Sequence, residues 1–416
     1  MSDRSDYEVA DVIVVGAGVL GTSVAHHLLT RGAGRVVVVE AETSAAATSG
    51  AGAGFVGLWA AGYAHFLTET ELALEQYGID FYRSLADAVP TVECKVNGNL
   101  YLATTEEGWR SWVEPVVGHR LAPAGTREVS PAQVAEVTGG VVPAKAVFGG
   151  ALHPGGIQIS AGRATRALAA RVAELGGEVR ERTRVTGLLV SDGAVADGAV
   201  VGVRTDAGDI RAPKVVLACG AWTNELLAAV GWRVPLLRMV ATRVVSPPSG
   251  VPGTMPTLMV PDLYGLWVRE HRGGLTWGNG DGYAPSYEMG SAVGVTSRPG
   301  FPELVERLDK ALVPKLRALM PSHDISMSWW LQGIPCMTPD RKFLAGPVPG
   351  VEGLHVLTGD NEAGVTHGPG LGRLLADVVL DGGSDWVDPS SYRLDRFAPE
   401  DFATEQAVLE AMPARR

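Results

Sequence analysis

Apolar and polar positions along the chain mark out three α/β stretches separated by segments of a different character. In the first, residues 11–15 form a run rich in β-branched residues, the pattern of a strand buried in a parallel sheet. Residues 19–31 (VLGTSVAHHLLTR) have helical spacing, and Gly32 is a stop signal. Residues 35–40 predict a second strand, so the opening reads as one βαβ unit. Residues 41–59 are small and glycine-rich with no apolar period, which predicts a long loop kept for function. Residues 64–88 predict an amphipathic helix with Phe66, Ala73, Tyr77, Phe81 and Leu85 on one face. Residues 91–149 mix short strands with helical pieces, and Ser130 with Gln133 has capping-box spacing.

The second α/β stretch starts near residue 157. Ser160 is placed to cap a helix that ends at the Gly176–Gly177 pair, and strands follow over EVRE, VTGLLV, VVGVR and KVVLACG (214–220). Residues 236–300 show short strands broken by Pro and Gly, and 302–319 predict a helix. The third stretch is a strand over 354–359, a tight loop and a helix across 368–381. The α/β character thus recurs near 8–60, 152–225 and 333–383, with antiparallel-like segments between. Three pieces of one nucleotide-binding domain, with insertions, explain this better than three domains.

Composition narrows the function. Hydrophobic residues make up 46% and charged residues 19%, as in a folded globular protein. With 416 residues the chain is long enough for two domains. The formal net charge is −11, and no block of like charges appears. That argues against nucleic acid and against an anionic membrane surface as partners. Cys94, Cys219 and Cys336 are widely spaced with no CxxC pair, so neither a disulfide framework nor a metal site is expected. The polar N-terminus and the lack of a long apolar run fit a reduced, cytoplasmic setting.

The strongest chemical signal is Gly16-Ala-Gly18-Val19-Leu20-Gly21 between the first strand and helix. The first glycine permits the turn, the second lets a pyrophosphate approach the backbone, and the third lets helix and strand pack closely. The helix N-terminus adds positive potential for phosphate. Glu40, with Ala41 beside it, lies where a carboxylate accepts ribose hydroxyls. The loop Thr48-Ser49-Gly-Ala-Gly-Ala-Gly54 offers hydroxyls and bare amides to phosphate, or is a plain surface loop.

Three further segments turn these signals into a resemblance: the run A-x-G-x-W at Ala218-Cys-Gly220-Ala-Trp222, then T-P-D at 338–340, then the loop from Gly359 through Gly364-Val365-Thr366 into a helix. From about residue 10 to 398 the chain resembles the FAD-dependent amine and amino-acid oxidoreductases of the D-amino-acid oxidase, glycine oxidase and sarcosine oxidase group. The resemblance implies an α/β fold. Its FAD-binding domain is a doubly wound parallel sheet in three segments (8–90, 150–232 and 331–385). Its substrate domain is an inserted mixed or antiparallel sheet (91–149 and 233–330), and 386–416 form a tail. It implies that Val185 and the residues just named contact FAD. A protein binding NAD alone would have no use for the C-terminal pair of motifs.

The departures from the family matter as much. Covalent flavin attachment in relatives uses a Cys or a His whose positions here hold Gly333 and Ala51, so FAD is expected to be non-covalent. The carboxylate-gripping Arg and Lys of relatives fall at Pro335 and Thr366, and the Lys that assists oxygen falls at Thr276. Arg269, and next Arg238, are then the candidate carboxylate anchors. Tyr264, Thr276 and His367 complete the candidate catalytic set. Trp59, Trp267, Trp277, Trp329 and Trp330 either line an apolar substrate site or pack the core. Asp360, Asn361 and Glu362 either meet a cationic amine or face water.

The reading is oxidation of a C–N bond in an amine or amino acid by hydride transfer to flavin N5. The imine product hydrolyses, and O2 or another acceptor takes the electrons. A C–O-oxidising hydroxy-acid dehydrogenase and a flavoprotein subunit that needs a partner are the alternatives.

Overall fold

A computed structural model describes residues 8–57, 68–191, 198–290 and 298–413. Trp59 and Phe66 lie outside the described residues. The chain forms two compact units. One comprises residues up to Gly50, Gly162–Arg238 and those from Pro335 on; the other comprises Ala51–Ala161 and Met239–Ile334.

The first unit is built on a six-stranded sheet. Its order is Leu344–Pro347, Leu354–Thr358, Lys214–Leu217, Val12–Val15, Val36–Val39 and Glu178–Arg180. Every neighbouring pair is parallel except the first, an antiparallel edge. The runs VIVV and VVVV are buried at every position, as in a parallel sheet that is covered on both faces and lets no residue point to water. Val15 is in register with Val39 and with Leu217, and Leu217 with Val356. The carboxyl ends of strands from three distant parts of the chain therefore share one edge. A second, four-stranded sheet contains Val185–Val190.

Helix Val19–Thr30 packs on helix Gly364–Asp381 through a row of glycines. Gly364, Gly368 and Gly372 recur every fourth residue, so they share one helix face, and that face meets Val19, Leu20 and Ser23. The later helix starts at Gly364, one turn before the expected 368. Residues 364–366, read as loop, form its first turn. Residues 386–413, read as a tail, belong to the first unit: Arg396 pairs with Asp340 at 2.9 Å, and Arg238 with Glu405 at 2.7 Å.

The second unit is a mixed sheet. Along its main path the order is Tyr283–Pro285, Leu237–Val245 (from Met239 on in this unit), Gly274–Gly278, Leu266–His271, Thr257–Val260, Asn99–Ala103, Gly149–His153 and Arg127–Val129, with Trp329–Gly333 also pairing residues 241–245. Only the pairing of Thr257–Val260 with Asn99–Ala103 is parallel. One face carries the core: Val244, Val268, Leu275 and Trp277 pack with Leu308, Leu312 and Leu316 of helix Pro302–Leu319.

Residues 51–90 and 150–161, assigned from the sequence to the first domain, belong to the second unit. Phe55–Val56 pairs with Ile157–Gln158, which ties both segments there. The segment expected to be loop throughout holds that strand and a short helix, Thr48–Ala51. Helix Glu69–Ala88 begins at a capping box of Thr68 and Glu71. Its buried face is Leu74, Glu75, Gly78, Ile79, Tyr82 and Leu85, offset from the expected one. Aromatic spacing misplaced that face because Tyr77 and Phe81 stack on each other, 6.3 Å apart, along its flank. The capping box at Ser130 and Gln133 is present as expected.

Candidate functional site

The N-terminal turn is shaped by close approach. Gly16 has φ +106°, and a Cβ there would come within 2.5 Å of the Ala218 carbonyl oxygen. A Cβ on Gly21 would run into the Gly16 carbonyl. The helix opens at Gly18 with no side-chain cap of its own and no acidic residue in its first turn. The Val19 amide donates instead to Ser49 Oγ at 2.9 Å, which brings the Thr48–Ala51 turn against the helix N-terminus. The remaining first-turn amides, around Leu20 and Gly21, are the donors a helix leaves for an anion.

Glu40 directly follows the strand Val36–Val39. Its carboxylate accepts the Ala17 amide at 2.8 Å and the Glu42 amide at 2.9 Å. Burial raises its pKa above the usual carboxylate value, and the two amides pull the other way. Ala41 beside it is half-buried. The Thr183 amide donates to the Glu40 carbonyl at 2.8 Å, two residues before Val185, so that strand starts next to the acid.

The other motifs end on the same edge of the sheet. Ala218 donates its amide to Val15 at 2.9 Å, and the turn Gly220–Trp222 follows. Gly220's carbonyl accepts from Thr223 Oγ1 at 2.8 Å and from Thr358 Oγ1 at 3.3 Å, which locks that turn to the strand preceding Gly359. Asn361 and Glu362 both adopt positive φ, 45° and 70°, which marks a strained loop of the kind held for function. Asp360 ties it down by accepting amides from Glu362 at 2.9 Å and Cys336 at 3.2 Å, and burial lifts its pKa to about 7. Asn361 accepts the Thr338 amide at 3.0 Å and donates to the Gly359 carbonyl at 2.7 Å. Asp360 and Asn361 are thus loop braces, and Glu362 is exposed.

Gly364, Val365 and Thr366 form the first helical turn beyond that loop, with no side-chain cap and no acid in the turn. A Cβ on Gly364 would sit 3.9 Å from Val19 Cγ1, so the C-terminal loop adjoins the N-terminal fingerprint. Two helix N-termini without side-chain caps, glycine-lined backbone and the Glu40 carboxylate at the end of its strand fit a dinucleotide such as FAD.

The candidate catalytic residues fare differently. His367 is 2% exposed, with its ring 5.4 Å from that of Phe343; burial lowers its pKa to about 4, so it is neutral at pH 7. In the second unit, Thr276 donates its hydroxyl to the Val244 carbonyl at 2.8 Å. Tyr264 sits at φ 58° in a turn, 47% exposed, with its ring over Gly280. Gly54 accepts the Ile159 amide at 2.7 Å, in the second unit, whereas Ser49 belongs to the first. Arg269 donates to the Ala53 carbonyl at 2.6 Å and the Glu270 carbonyl at 2.8 Å. It staples strands together. Arg238 is taken up by Glu405 in the first unit.

The aromatics divide by strand alternation. Trp277 is in the core with Trp330 packed against it, whereas Trp267 and Trp329 lie on the opposite face. On that face stands a residue the sequence reading passed over, Arg243. With Thr242 beside it, it interrupts the apolar stretch of the strand LRMVATRVV, and a charge so deep in that stretch is the available signal.

Comparison with known proteins agrees with this geometry. The chain is 31% identical to 4-methylaminobutanoate oxidase (formaldehyde-forming) of Paenarthrobacter nicotinovorans over 419 residues, 93% of this chain and 45% of that protein. It is 29% identical to glycine oxidase of Pseudomonas aeruginosa, covering 92% of this chain and 97% of that one. It is 27% identical to the mitochondrial pyruvate dehydrogenase phosphatase regulatory subunit of Mus musculus, covering 90% and 42%. The chain therefore spans about half the length of several curated relatives it matches. The solved L-proline dehydrogenase of P. horikoshii shares the fold, with a TM-score of 0.78 at 18% identity over 95% of this chain and 98% of that one. Residues 11–378 match the family model of the DAO FAD-dependent oxidoreductases, and with the fingerprint, the acid and the C-terminal loop gathered on one sheet edge, the chain belongs to that family and takes FAD as its cofactor.

Proposed function

We propose that this protein oxidises the C–N bond of an amine or amino acid, with the first unit holding FAD non-covalently and the second supplying the substrate contacts. The observation that carries the reading is the placement of Gly364 against Val19. It makes one cradle of the two chain ends, as a single long cofactor requires. Bound FAD supplies a two-electron acceptor for the hydride on the carbon next to nitrogen; the resulting imine hydrolyses in water. The chain's own part is binding and orientation. The turn at Gly18–Gly21 would hold phosphate, Glu40 would take ribose hydroxyls, and the helix N-terminus at Gly364–Thr366 would turn its positive end to the electron-rich edge of the flavin. Non-covalent attachment follows from Ala51 and Gly333 at the positions where relatives carry a linking His or Cys; Cys336, fully buried with its thiol pKa pushed up, is a packing residue.

Anaerobic titration of the purified yellow protein tests the reading. Secondary amines, L- and D-amino acids and hydroxy acids are added in turn while the flavin absorbance is followed. Bleaching by an amine and recovery in air support C–N oxidation with O2 as acceptor. Bleaching that persists in air points to another acceptor. Bleaching by hydroxy acids alone overturns the reading. Acid precipitation that leaves colour on the protein overturns non-covalent binding.

A further inference from the structure

The second unit contains a buried cation with nothing to neutralise it among the described residues. Arg243 is 9% exposed, yet among the described residues it makes no hydrogen bond and no ion pair, and its Nε is fully enclosed. An unpaired buried charge is expensive, and a fold keeps one only where something brings the counter-charge. The register says which way the side chain points. Val244, next in the strand, pairs with Trp277 in the core, so Arg243 projects from the opposite face.

The same face carries further positive groups. Thr276 pairs with both Val245 and Arg269, which places Arg269 on Arg243's side of the sheet. His271 lies two residues beyond Arg269, with its ring 6.1 Å from that of Trp329. Arg269 depresses the pKa of Arg243, after burial itself, and both arginines depress that of His271, so the three feel one another's charge. Arg269 has spent its donors on carbonyls, whereas Arg243 has not. The nearby carboxylates are engaged elsewhere: Glu270 with Lys95 at 2.7 Å and the Gly273 amide at 2.7 Å, Glu93 with Arg272 at 3.8 Å.

We propose that Arg243 binds the carboxylate of the substrate, on the sheet face that it shares with Arg269 and His271. The inference rests on the amine-oxidation reading for the word substrate, and it narrows the class to amines that carry an acid group. It also supplies an anchor at a position other than Pro335 and Thr366. A guanidinium fork grips a planar carboxylate through two parallel hydrogen bonds, so Arg suits this task better than Lys.

Calorimetric titration of the flavin-loaded protein under nitrogen tests it. The probes are acetate, N-methylglycine and 4-methylaminobutanoate, each against its uncharged amide. The wild type is expected to favour at least one acid over its amide by about 10- to 100-fold, the worth of a charge-assisted pair. Arg243→Gln should abolish that preference, and Arg243→Lys should keep part of it. Because the removed charge is unpaired, Arg243→Gln should melt at the same temperature as the wild type or higher, which a structural arginine would not allow. A preference unchanged in Arg243→Gln, no preference in the wild type, or unfolding of both variants overturns the inference. If the preference depends on Arg243 but no amine bleaches the flavin, the anchor stands and the oxidation reading falls. If amines bleach the flavin and Arg243→Gln still prefers acids, the oxidation reading stands and the anchor falls.

Discussion

Gly372 lies against Ser23 with no room for a methyl group: a Cβ on Gly372 would come within 2.5 Å of Ser23 Cβ and 2.9 Å of the Val24 amide nitrogen. Since the two helices begin at the two ends of the proposed cofactor cradle, Gly372→Leu should part them. The expected loss is about 1–3 kcal/mol, as for overpacked cores, with flavin content falling alongside. Gly383→Ala, with nothing within 4 Å of the added Cβ, is the control. Urea denaturation and the flavin-to-protein absorbance ratio read both. Equal flavin content in Gly372→Leu and wild type would show that the helix seam does not set the cradle.

Glu40 holds the Ala17 and Glu42 amides and is the acid proposed above to take the ribose hydroxyls. Glu40→Ala should weaken FAD binding by about 10-fold or more, because it removes a charged acceptor and leaves two donors unpaired. Glu40→Gln, which keeps one acceptor oxygen, should fall between. Titration of apoprotein with FAD, followed by quenching of flavin fluorescence, gives the affinities.

Arg269→Gln should destabilise the protein by about 1–3 kcal/mol, since the carbonyls of Ala53 and Glu270 lose a buried charged donor. The substitution should leave the preference for acids over amides largely intact. Denaturant midpoints and the calorimetric comparison separate this staple from an anchor. A large loss of acid preference with unchanged stability would restore Arg269 to the role its sequence position suggested.

Asp360 and His367 give opposite pH signatures. Asp360 titrates near pH 7 when folded against 3.8 ordinarily, so the folded state holds a proton the unfolded state has released. Its contribution is present below about pH 4 and is lost as pH rises to 7; Asp360→Asn should therefore gain on the wild type across that window. His367 titrates near 4 against 6.5, so its contribution is present above about pH 6.5 and is lost as pH falls to 4. His367→Asn should be less sensitive to acid there. Each slope is bounded by one proton, about 1.4 kcal/mol per pH unit. Denaturation midpoints at pH 5, 6, 7 and 8 decide. Parallel curves for wild type and both variants would refute the assignments.

Local patterns of residues were enough to read the first unit. The runs VIVV and VVVV, the glycines at 16, 18 and 21, and the C-terminal strand, loop and helix were legible because short-range spacing governs them: a parallel strand is apolar throughout, and a phosphate turn demands glycines at set intervals. The helix start at Gly364 was missed, because glycines and Pro369 read as loop when helix propensity is judged without the packing that overrides it. The second unit became readable once its strands were paired. Arg238, Arg243 and Arg269 are alike in sequence, each an arginine in or beside an apolar strand. One meets Glu405, one meets two carbonyls, and one meets no partner among the described residues. Those fates depend on which face each residue takes and on what distant strands lay beneath it, and strand register across more than a hundred residues of chain sets both.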